Sequence, residues 1–367
     1  MIIERKVFVG VSGGVDSSVV LALLKEQRYD VTGVFLKVWS PDFLPCDWRE
    51  ERRSAMRVCA TLGVPFLTLD FEEEYKKEVV DYMIREYSDG RVPNPDVYCN
   101  KYVKFGVFLK KALEMGADYI ATGHYARVEV RELRDQNRTS NFTLLESIDS
   151  NKDQSYFLYT LNQEQLKHTL FPVGNMTKQD VRKMARKFNL STAEKKDSQG
   201  LCFIGKVDMK DFLGHYIQTK KGEVLNTKGE VVGEHDGAVF FAIGQRHGFN
   251  VTMKSPDDPR FFVVSKNLKN NTITVAHKVK DGETDYSTKE VYVRNMHFIS
   301  GSEPKFPLKC QARIRYRQEK QECLVEKELK GHRVYFKEFQ DGVSVGQSVV
   351  LYDGEICLGG GIIETGV

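Results

Sequence analysis

The chain has 367 residues, and its 54 lysines and arginines nearly balance 51 aspartates and glutamates, giving a formal net charge of +3. This length exceeds that of one typical folding core and indicates two or three domains. The hydrophobic share of 41% is typical of a globular protein. Since no window approaches the roughly 18 uncharged apolar residues of a membrane span, we expect no membrane-spanning segment.

The first residues and the cysteines indicate a compartment. The segment MIIERKVFVG leads almost directly into the first predicted strand and leaves no room for a signal peptide. The seven cysteines lack CxxC and CxxCH spacing, which disfavours a zinc knuckle, a thioredoxin-like motif and haem attachment. We therefore predict a cytoplasmic protein whose cysteines begin as thiols, and we assign no residues to a structural metal site.

Four apolar runs organise the first third of the chain, and segments with helical periodicity separate them. They are VFVGV (7–11), VTGVFLKVW (31–39), VPFLTLD (64–70) and ADYIATG (117–123). Short β-branched runs alternating with helical segments predict an α/β domain with a parallel sheet and crossover helices.

The segment GVSGGVDSS lies where the first strand must turn into a helix. Glycines there permit positive φ and close backbone approach, so several N–H groups can converge on an anion at the helix N-terminus. The Walker lysine is missing. The pattern SGGVDS instead resembles the loop of enzymes that split ATP between the α- and β-phosphates. An ordinary Gly/Ser turn is the alternative. The predicted nucleotide-binding residues are Gly10, Val11, Ser12, Gly13, Gly14, Val15, Asp16 and Ser17.

Two further residues are predicted at the same nucleotide site. Ligands of such sheets bind outside the carboxyl ends of the strands, where Leu36 and Gly123 follow apolar runs. Leu36 would contact adenine, and Gly123 would let the chain pass close to the nucleotide. Asp16 would hold Mg²⁺ or orient the nucleotide. A purely structural role for Leu36 and Gly123 is nearly as well supported by the residues alone.

The middle of the chain mixes short strands with basic segments. Residues 127–149 predict two strand-like arms around a charged turn, helical spacing returns over 152–161, and Thr177 precedes a helix. Seven lysines and arginines against two acids lie in 176–196, and five against one in 308–320. Such clusters are expected of a protein with a phosphate-rich partner such as RNA, although a basic run on a helix is more often simply a solvated face.

After about residue 215 the pattern becomes β-rich, with turn signals at short intervals. Length allows a small β-rich central domain and a C-terminal β-barrel. The predicted domains are 1–215 (catalytic), 216–285 (central) and 286–367 (barrel, in contact with RNA).

Two cysteines differ from the rest in their local context. Cys99 lies in RVPNPDVYCNKYVKFG, where two prolines predict an extended loop before a helix, and Cys202 lies in the Gly-flanked segment KKDSQGLCFIG. Loops beside helical or cationic elements favour a reactive thiolate. We therefore predict two reactive cysteines.

Ordered motifs along nearly the whole chain resemble those of bacterial tRNA-specific 2-thiouridylases. They are SGGVDSS, PNPDVYCNK, ATGHYARV, KDQSYFLY, KKDSQGLCFIG, GEHDG, IGQRHG, RYRQ and YDGEICLGGGII. The resemblance implies an ATP-pyrophosphatase domain followed by a small central domain and a β-barrel. It implies adenylation of the C2 oxygen of uridine 34 and replacement of that oxygen by sulfur, with expected use of ATP and Mg²⁺. Leu36 departs from the family's common methionine, as does Gln-Gly-Leu before Cys202 from the usual Thr-Gly-Ile or Ser-Gly-Ile.

The resemblance also implies roles for individual residues. Cys202 would carry a persulfide from a cysteine desulfurase or sulfur-relay protein, Cys99 would act as a nucleophile or resolve the transfer, and Asp96 would act as acid or base. A loop-capping role for Asp96 stays open. The implied tRNA contacts, around a flipped base and the anticodon loop, are Asn94, Pro95, Asp96, Lys152, Asp153, Gln154, Arg315 and Tyr316.

Three other functions share parts of this pattern. An amidating ligase would use the same loop but no cysteine pair. An iron–sulfur tRNA thiolase would bind a cluster through Asp96, Cys99 and Cys202. A noncatalytic RNA-binding module would bind tRNA without cleaving ATP.

Overall fold

The computed structural model describes residues 5–43, 48–131, 141–196, 209–252, 259–277 and 287–366. In these ranges the α-helices are α1 (Val15–Glu26), α2 (Trp48–Leu62), α3 (Glu72–Tyr75), α4 (Asp81–Ser88), α5 (Pro95–Tyr98), α6 (Phe108–Glu114), α7 (Gln163–Lys167), α8 (Lys178–Lys187) and α9 (Met209–Gly214). Two π-helical segments, Lys76–Val80 and Cys99–Val107, join α3 to α4 and α5 to α6. Residues 95–114 therefore form one continuous helical stretch.

The strands belong to three sheets. In chain order they are β1 (Lys6–Gly10), β2 (Asp30–Lys37), β3 (Phe66–Asp70), β4 (Tyr119–Ala121), β5 (Ala126–Arg131), β6 (Asn141–Glu146), β7 (Thr169–Leu170), β8 (Gly222–Leu225), β9 (Val231–His235), β10 (Phe249–Val251), β11 (Phe261–Asn267), β12 (Thr272–His277), β13 (Ser287–Phe298), β14 (Leu308–Arg313), β15 (Gln321–Glu328), β16 (Gly331–Asp341), β17 (Ser348–Asp353) and β18 (Ile356–Gly366).

The N-terminal sheet is parallel and confirms the prediction from the four apolar runs. Its strand order is β3-β2-β1-β4-β7, and every neighbouring pair in it is parallel. Both faces of β1 are buried. Val7 and Val9 pack in the cluster that contains α1, whereas Phe8 packs with Phe108 on the opposite face. This two-sided burial explains why the strands read as continuous apolar runs.

From residue 222 onward the described residues form strands, apart from a 3₁₀ turn at Ala238–Phe240 and the connecting loops. Strands β8 to β12 form a five-stranded mixed sheet in the order β10-β9-β8-β12-β11, and β13 to β18 close into a six-stranded barrel through a β13–β18 pairing. The predicted fold class of an α/β domain followed by a β-rich central domain and a β-barrel is thus confirmed.

Two features of the middle segment differ from the sequence-based expectation. The predicted arms do form the antiparallel hairpin β5–β6, but β6 pairs with β18 and so extends the barrel sheet. The predicted helical periodicity over 152–161 was wrong, because the structure contains only a 3₁₀ turn at Ser155–Phe157. The Asp153 carboxylate accepts hydrogen bonds from the backbone N–H groups of Ser147 and Ser155, which holds this segment as a turn.

The barrel packs directly on the N-terminal domain. One hydrophobic cluster contains Phe8 and Phe108 together with Val350, Tyr352 and Cys357 of the barrel. None of the helices in the described ranges is long and apolar enough to cross a bilayer. The N-terminal sheet and the barrel therefore share a hydrophobic core. A cavity lies where elements of the two meet.

Candidate active site

The loop between β1 and α1 has the backbone that its glycines predict. Gly13 has φ +71°, and a Cβ there would lie 2.5 Å from the carbonyl oxygen of Glu51, so no larger residue fits. Gly14 is the N-cap of α1 and makes no side-chain cap. The serines bond within the loop, since the Ser18 hydroxyl donates to the Gly14 carbonyl at 2.7 Å and the Ser12 N–H donates to Ser17 Oγ at 3.2 Å. The result is a preformed turn at the positive end of a helix.

Asp16, in the first turn of α1, is held by two distant residues. Lys178 Nζ lies 2.7 and 2.8 Å from its two carboxylate oxygens, and the Tyr125 hydroxyl donates to Oδ1 at 2.7 Å. An ammonium group thus bonds both carboxylate oxygens, and a phenol hydroxyl bonds one of them. These contacts fix the orientation of Asp16 beside the loop, and magnesium binding by Asp16 stays a prediction.

A cavity of about 500 Å³ opens beside this loop. It brings together residues predicted for the nucleotide with residues predicted for the tRNA. Its walls are formed by Gly10, Val11, Ser12, Gly14, Val15, Asp16, Ser17, Leu36, Glu51, Asp96, Asn100, Lys104, Thr122, Gly123, His124, Tyr125, Lys152, Gln154, Phe157, Lys196, Tyr316 and Arg317. Every predicted nucleotide residue except Gly13 lies on these walls.

Gly123 allows the end of β4 to approach the loop. A Cβ on this residue would lie 2.9 Å from the Ser17 backbone nitrogen and 3.1 Å from the Asp16 carbonyl carbon. Such contacts are closer than packed atoms tolerate. The glycine therefore sets the spacing between the loop and the opposite wall of the cavity.

The helical stretch 95–114 presents one face to the cavity. Asp96, Asn100 and Lys104 line it at intervals of four residues. Asn94 is the N-cap of α5, its side-chain oxygen accepting from the Val97 N–H at 3.4 Å, and Pro95 occupies the first turn. Asn94 and Pro95 thus lie beside the cavity walls rather than on them, at the start of the helix that carries Asp96.

The predicted loop location of Cys99 was wrong. Cys99 is the first residue of the π-helical segment, is 0% exposed, and packs in the hydrophobic cluster of the N-terminal domain. A proline at the start of a helix is compatible with that helix continuing, which is why the prolines did not impose an extended loop as far as Cys99.

Cys202 lies outside the described residues, so its distance from Cys99 is not part of the structure. Within the ranges that are described, no group of three or more His, Cys, Asp or Glu residues is arranged to hold a metal ion. Asp96 and Cys99 alone do not form such a group.

Residues 152–154 lie partly on the cavity wall and partly in the protein interior. Lys152 and Gln154 line the cavity. Gln154 is tied to Tyr125 in both directions, accepting from its N–H at 3.0 Å and donating its own N–H to the Tyr125 carbonyl at 2.8 Å. Asp153 is 3% exposed and pairs with Arg313 at 3.2 Å. Asp153 is therefore not on the cavity wall, and its carboxylate holds the turn; a contact between Asp153 and tRNA stays a prediction.

The barrel supplies one aromatic residue to the cavity. Tyr316 lies on its wall, and its ring centroid is 4.5 Å from that of Phe157. Arg315 is not on the wall, because its guanidinium donates to the carbonyl of Asp341. The neighbouring Arg317 lines the cavity instead.

Several cavity residues were not predicted from the sequence. His124 is buried, contacts Thr122 Oγ1 at 2.8 Å, and lies 3.4 Å from Lys104 Nζ. Burial, together with the nearby ammonium of Lys104, holds the pKa of His124 well below its ordinary value. His124 stands directly after the predicted Gly123, so proximity in sequence was the available signal.

The basic run 176–196 reaches the loop through only some of its members. Lys178 pairs with Asp16, Lys195 Nζ donates to the Gly13 carbonyl at 3.0 Å, and Lys196 lines the cavity. By contrast, Arg186 and Lys187 pair with surface carboxylates. Residues 176–196 therefore combine a solvated helix face with lysines beside the loop between β1 and α1, which we call the phosphate loop because of its predicted role.

Three family models match consecutive parts of the chain. The tRNA methyl transferase HUP domain matches residues 5–206, the tRNA methyl transferase PRC-barrel domain matches 210–277, and the aminomethyltransferase beta-barrel domain matches 288–363. The first model covers more than half of the chain and contains the parallel sheet and every cavity-lining residue except Tyr316 and Arg317.

Curated relatives match over almost the full length. The tRNA-specific 2-thiouridylase MnmA 2 of Geobacillus kaustophilus is 44% identical over 364 residues, which is 98% of this chain and 95% of the relative. The MnmA protein of Francisella philomiragia is 43% identical over 98% of this chain and 99% of its own. That of Listeria monocytogenes is 44% identical over 99% and 95%. The chain therefore belongs to the tRNA-specific 2-thiouridylase family.

Proposed function

We propose that this protein uses ATP to replace the 2-oxygen of uridine 34 in tRNA with sulfur, releasing AMP and pyrophosphate. The observation that supports this most is the single cavity shared by the phosphate loop, Asp96 and Tyr316. Adenylation requires the α-phosphate and the uracil C2 carbonyl to meet at bonding distance. A cavity lined by the β1–α1 loop together with an aromatic ring and a carboxylate supports the proposal that both substrates bind there.

The first step makes a leaving group. The C2 oxygen of uracil leaves poorly, so its attack on the α-phosphate of ATP converts it to an adenylate and expels pyrophosphate. Backbone N–H groups at the start of α1, with Lys195 and Lys196 nearby, would hold the departing phosphates. We assign no step to Mg²⁺ at Asp16; magnesium would accompany ATP as its counter-ion. Asp96 would exchange a proton with the base edge.

The second step delivers sulfur through the two cysteines. Cys202 would receive a persulfide from a cysteine desulfurase or sulfur-relay protein. In one route the Cys99 thiolate attacks Cys202 Sγ and displaces hydrosulfide, which adds to C2 and expels AMP. In the other route the terminal persulfide sulfur adds to C2, AMP leaves, and Cys99 then attacks Cys202 Sγ. Both routes end in a Cys99–Cys202 disulfide that an external thiol must reduce before another turnover.

Binding of tRNA would have to expose Cys99. Its side chain is 0% exposed in this structure, and a buried thiol is inert toward a persulfide. We propose that the anticodon loop, entering over Lys152, Gln154 and Tyr316, shifts the start of the helical stretch. A substantial minority of complexes show such rearrangements of a loop or segment on binding.

We propose that the reaction takes place in the cytoplasm, where both substrates, tRNA and ATP, are available.

The site of ATP cleavage tests this function. The protein is incubated with α-labelled ATP, a persulfide source and tRNA that carries either uridine or cytidine at position 34. We expect labelled AMP, with an equal amount of pyrophosphate, only with the uridine tRNA. Formation of ADP, or AMP formation that depends on an amine acceptor rather than on tRNA, would reject the proposal in favour of another ATP-using activity.

A further inference from the structure

Asn100 has an unusual hydrogen-bonding state for a buried amide. It lies on the cavity wall and is 2% exposed. Its Nδ2 donates to the backbone carbonyl of Phe157 at 3.0 Å. Since a carbonyl only accepts, this bond fixes which end of the amide is nitrogen and leaves Oδ1 facing elsewhere.

The Oδ1 atom of Asn100 finds no donor in the part of the chain that the structure describes. Leaving a buried acceptor without a partner destabilises a protein, so such atoms are rare in folded chains. Asn100 lines the cavity as a residue, while its Oδ1 is an orphaned acceptor shielded from solvent. A donor that arrives with a ligand and displaces the neighbours of Oδ1 would give this atom its missing partner.

The surroundings of Asn100 suit a flat heterocycle. Phe157, whose carbonyl anchors the amide, also lines the cavity with its side chain, and the Tyr316 ring lies 4.5 Å from it between centroids. Asp96 lies one helical turn before Asn100 on the same wall. Aromatic rings of this kind stack on unpaired bases, while side-chain amides read base edges.

Uracil presents a single donor on its Watson–Crick edge, the N3–H between two carbonyl oxygens. Cytosine presents an unprotonated N3, which an acceptor would repel. We propose that Asn100 Oδ1 accepts the N3–H of the target uracil, which makes Asn100 a specificity-determining residue that selects uridine over cytidine. This inference rests on the proposed function, because it takes the base in the cavity to be the base that is modified.

Binding of matched anticodon stem-loops tests the inference separately from catalysis. Stem-loops with U34 or C34 are titrated with the ATP-loaded protein and followed by fluorescence anisotropy. We expect the wild type to bind the U34 stem-loop about ten- to hundredfold more tightly. Asn100→Ala should reduce this ratio to about threefold or less while leaving ATP affinity unchanged.

Two further variants separate recognition from folding. Asn100→Asp should recover part of the ratio, because a buried carboxyl beside the Phe157 carbonyl would be protonated, donate to that carbonyl, and keep one acceptor oxygen. Thr160→Val removes another buried polar atom that lacks a partner among the described residues but lies off the cavity wall. This control should keep the full ratio.

The results distinguish a failure of the role inferred for Asn100 from a failure of the proposed 2-thiouridylase function. An undiminished U34 preference in Asn100→Ala overturns the inference, and loss of ATP affinity in that variant would mean that Oδ1 serves adenine instead. The wild type is also assayed for 2-thiouridine by mass spectrometry. If it prefers U34 but makes no 2-thiouridine, the inference holds and the proposed function fails; if it makes 2-thiouridine and Asn100→Ala keeps the preference, the reverse is true.

Discussion

Lys152 and Asp153 are adjacent in one sequence motif, but Lys152 lies on the cavity wall and Asp153 lies in the protein interior. Lys152 lines the cavity, whereas the Asp153 side chain is 2% exposed and pairs with Arg313. Asp153 also accepts from Ser155 Oγ at 2.8 Å. A motif shared with a family thus contains both residues that can meet a substrate and residues that hold the segment in shape.

Substituting each of these neighbours should produce separable effects. Asp153→Ala should lower the free energy of unfolding by about 3 kcal/mol, because two backbone N–H groups lose their acceptor and the Arg313 guanidinium loses one of its two carboxylate partners, keeping Glu146. Lys152→Ala should leave unfolding unchanged within about 0.5 kcal/mol and weaken tRNA binding. Urea denaturation and tRNA titration of both variants measure this, and equal stability of the two would contradict the assignment.

His124 makes stability depend on pH. Its folded pKa lies below the ordinary value of 6.5, so the unfolded chain takes up the proton first as pH falls. The contribution of His124 is therefore neutral above about pH 6.5 and becomes destabilising below it. The groups facing the ring are Lys104, Thr122, Phe105 and Phe171, and none of them is an acid that would stabilise the charged form.

Comparing wild type with His124→Gln isolates this contribution. Between about pH 7.5 and about pH 5.5 the wild type should lose more unfolding free energy than the variant, by at most about 1.4 kcal/mol. The measurement is urea denaturation at both pH values in the same buffer ions. A larger loss in the variant would show that the ring is protonated in the folded protein.

At the scale of elements, the nucleotide site depends on how closely β4 approaches the start of α1. Gly123→Ala should push its Cβ against the Ser17 backbone nitrogen, because the two atoms would lie only 2.9 Å apart. Displacing the loop should weaken ATP binding about tenfold or more. Gly214→Ala is the matched control, since a Cβ there meets no atom within 4 Å. Calorimetric titration with a nonhydrolysable ATP analogue measures both, and equal affinities would contradict the proposed spacing.

Short sequence patterns predicted the helices, strands and turns whose formation depends mainly on residues close together in the chain. The parallel strands follow from their apolar runs, the phosphate loop from its glycines, and α8 from Thr177, whose side chain accepts from the Asp180 N–H. Long-range contacts were beyond such signals. Lys178 reaches Asp16 across 162 residues, and β6 joins β18 from the far end of the chain. The turn at 155–157 was missed because the Asp153 carboxylate, not apolar spacing, determines it.

At the scale of the whole molecule, the barrel holds the segment that leads into the Asp96 helix. Gln347 Nε2 donates to the carbonyls of Val92 and Pro93 at 2.8 and 3.2 Å, and the Val92 N–H donates to the Val345 carbonyl at 2.8 Å. The barrel thereby positions the start of the helical stretch as well as supplying Tyr316. The domain limits 1–215, 216–285 and 286–367 stay predictions, and this contact argues that the units act together.

Gln347→Ala should therefore impair the tRNA reaction without affecting the nucleotide. Loss of two hydrogen bonds to residues 92–93 should lower kcat/KM for tRNA about tenfold, with unchanged ATP affinity. Gln311→Ala removes a comparable amide that bonds Glu322 on the barrel surface and should have little effect. Steady-state kinetics of both variants measure this; a similar loss in the control would mean that the barrel acts only through overall stability.

The formation of 2-thiouridine tests the central claim most directly. Reduced wild-type protein, Cys99→Ser and Cys202→Ser are each incubated with magnesium ATP, a persulfide source and unmodified tRNA, and the digested tRNA is analysed by mass spectrometry. The account predicts 2-thiouridine at position 34, with AMP and pyrophosphate, in the wild type alone. Undiminished 2-thiouridine in either serine variant would contradict the two-cysteine mechanism, and its absence from the wild type would contradict the proposed substrate.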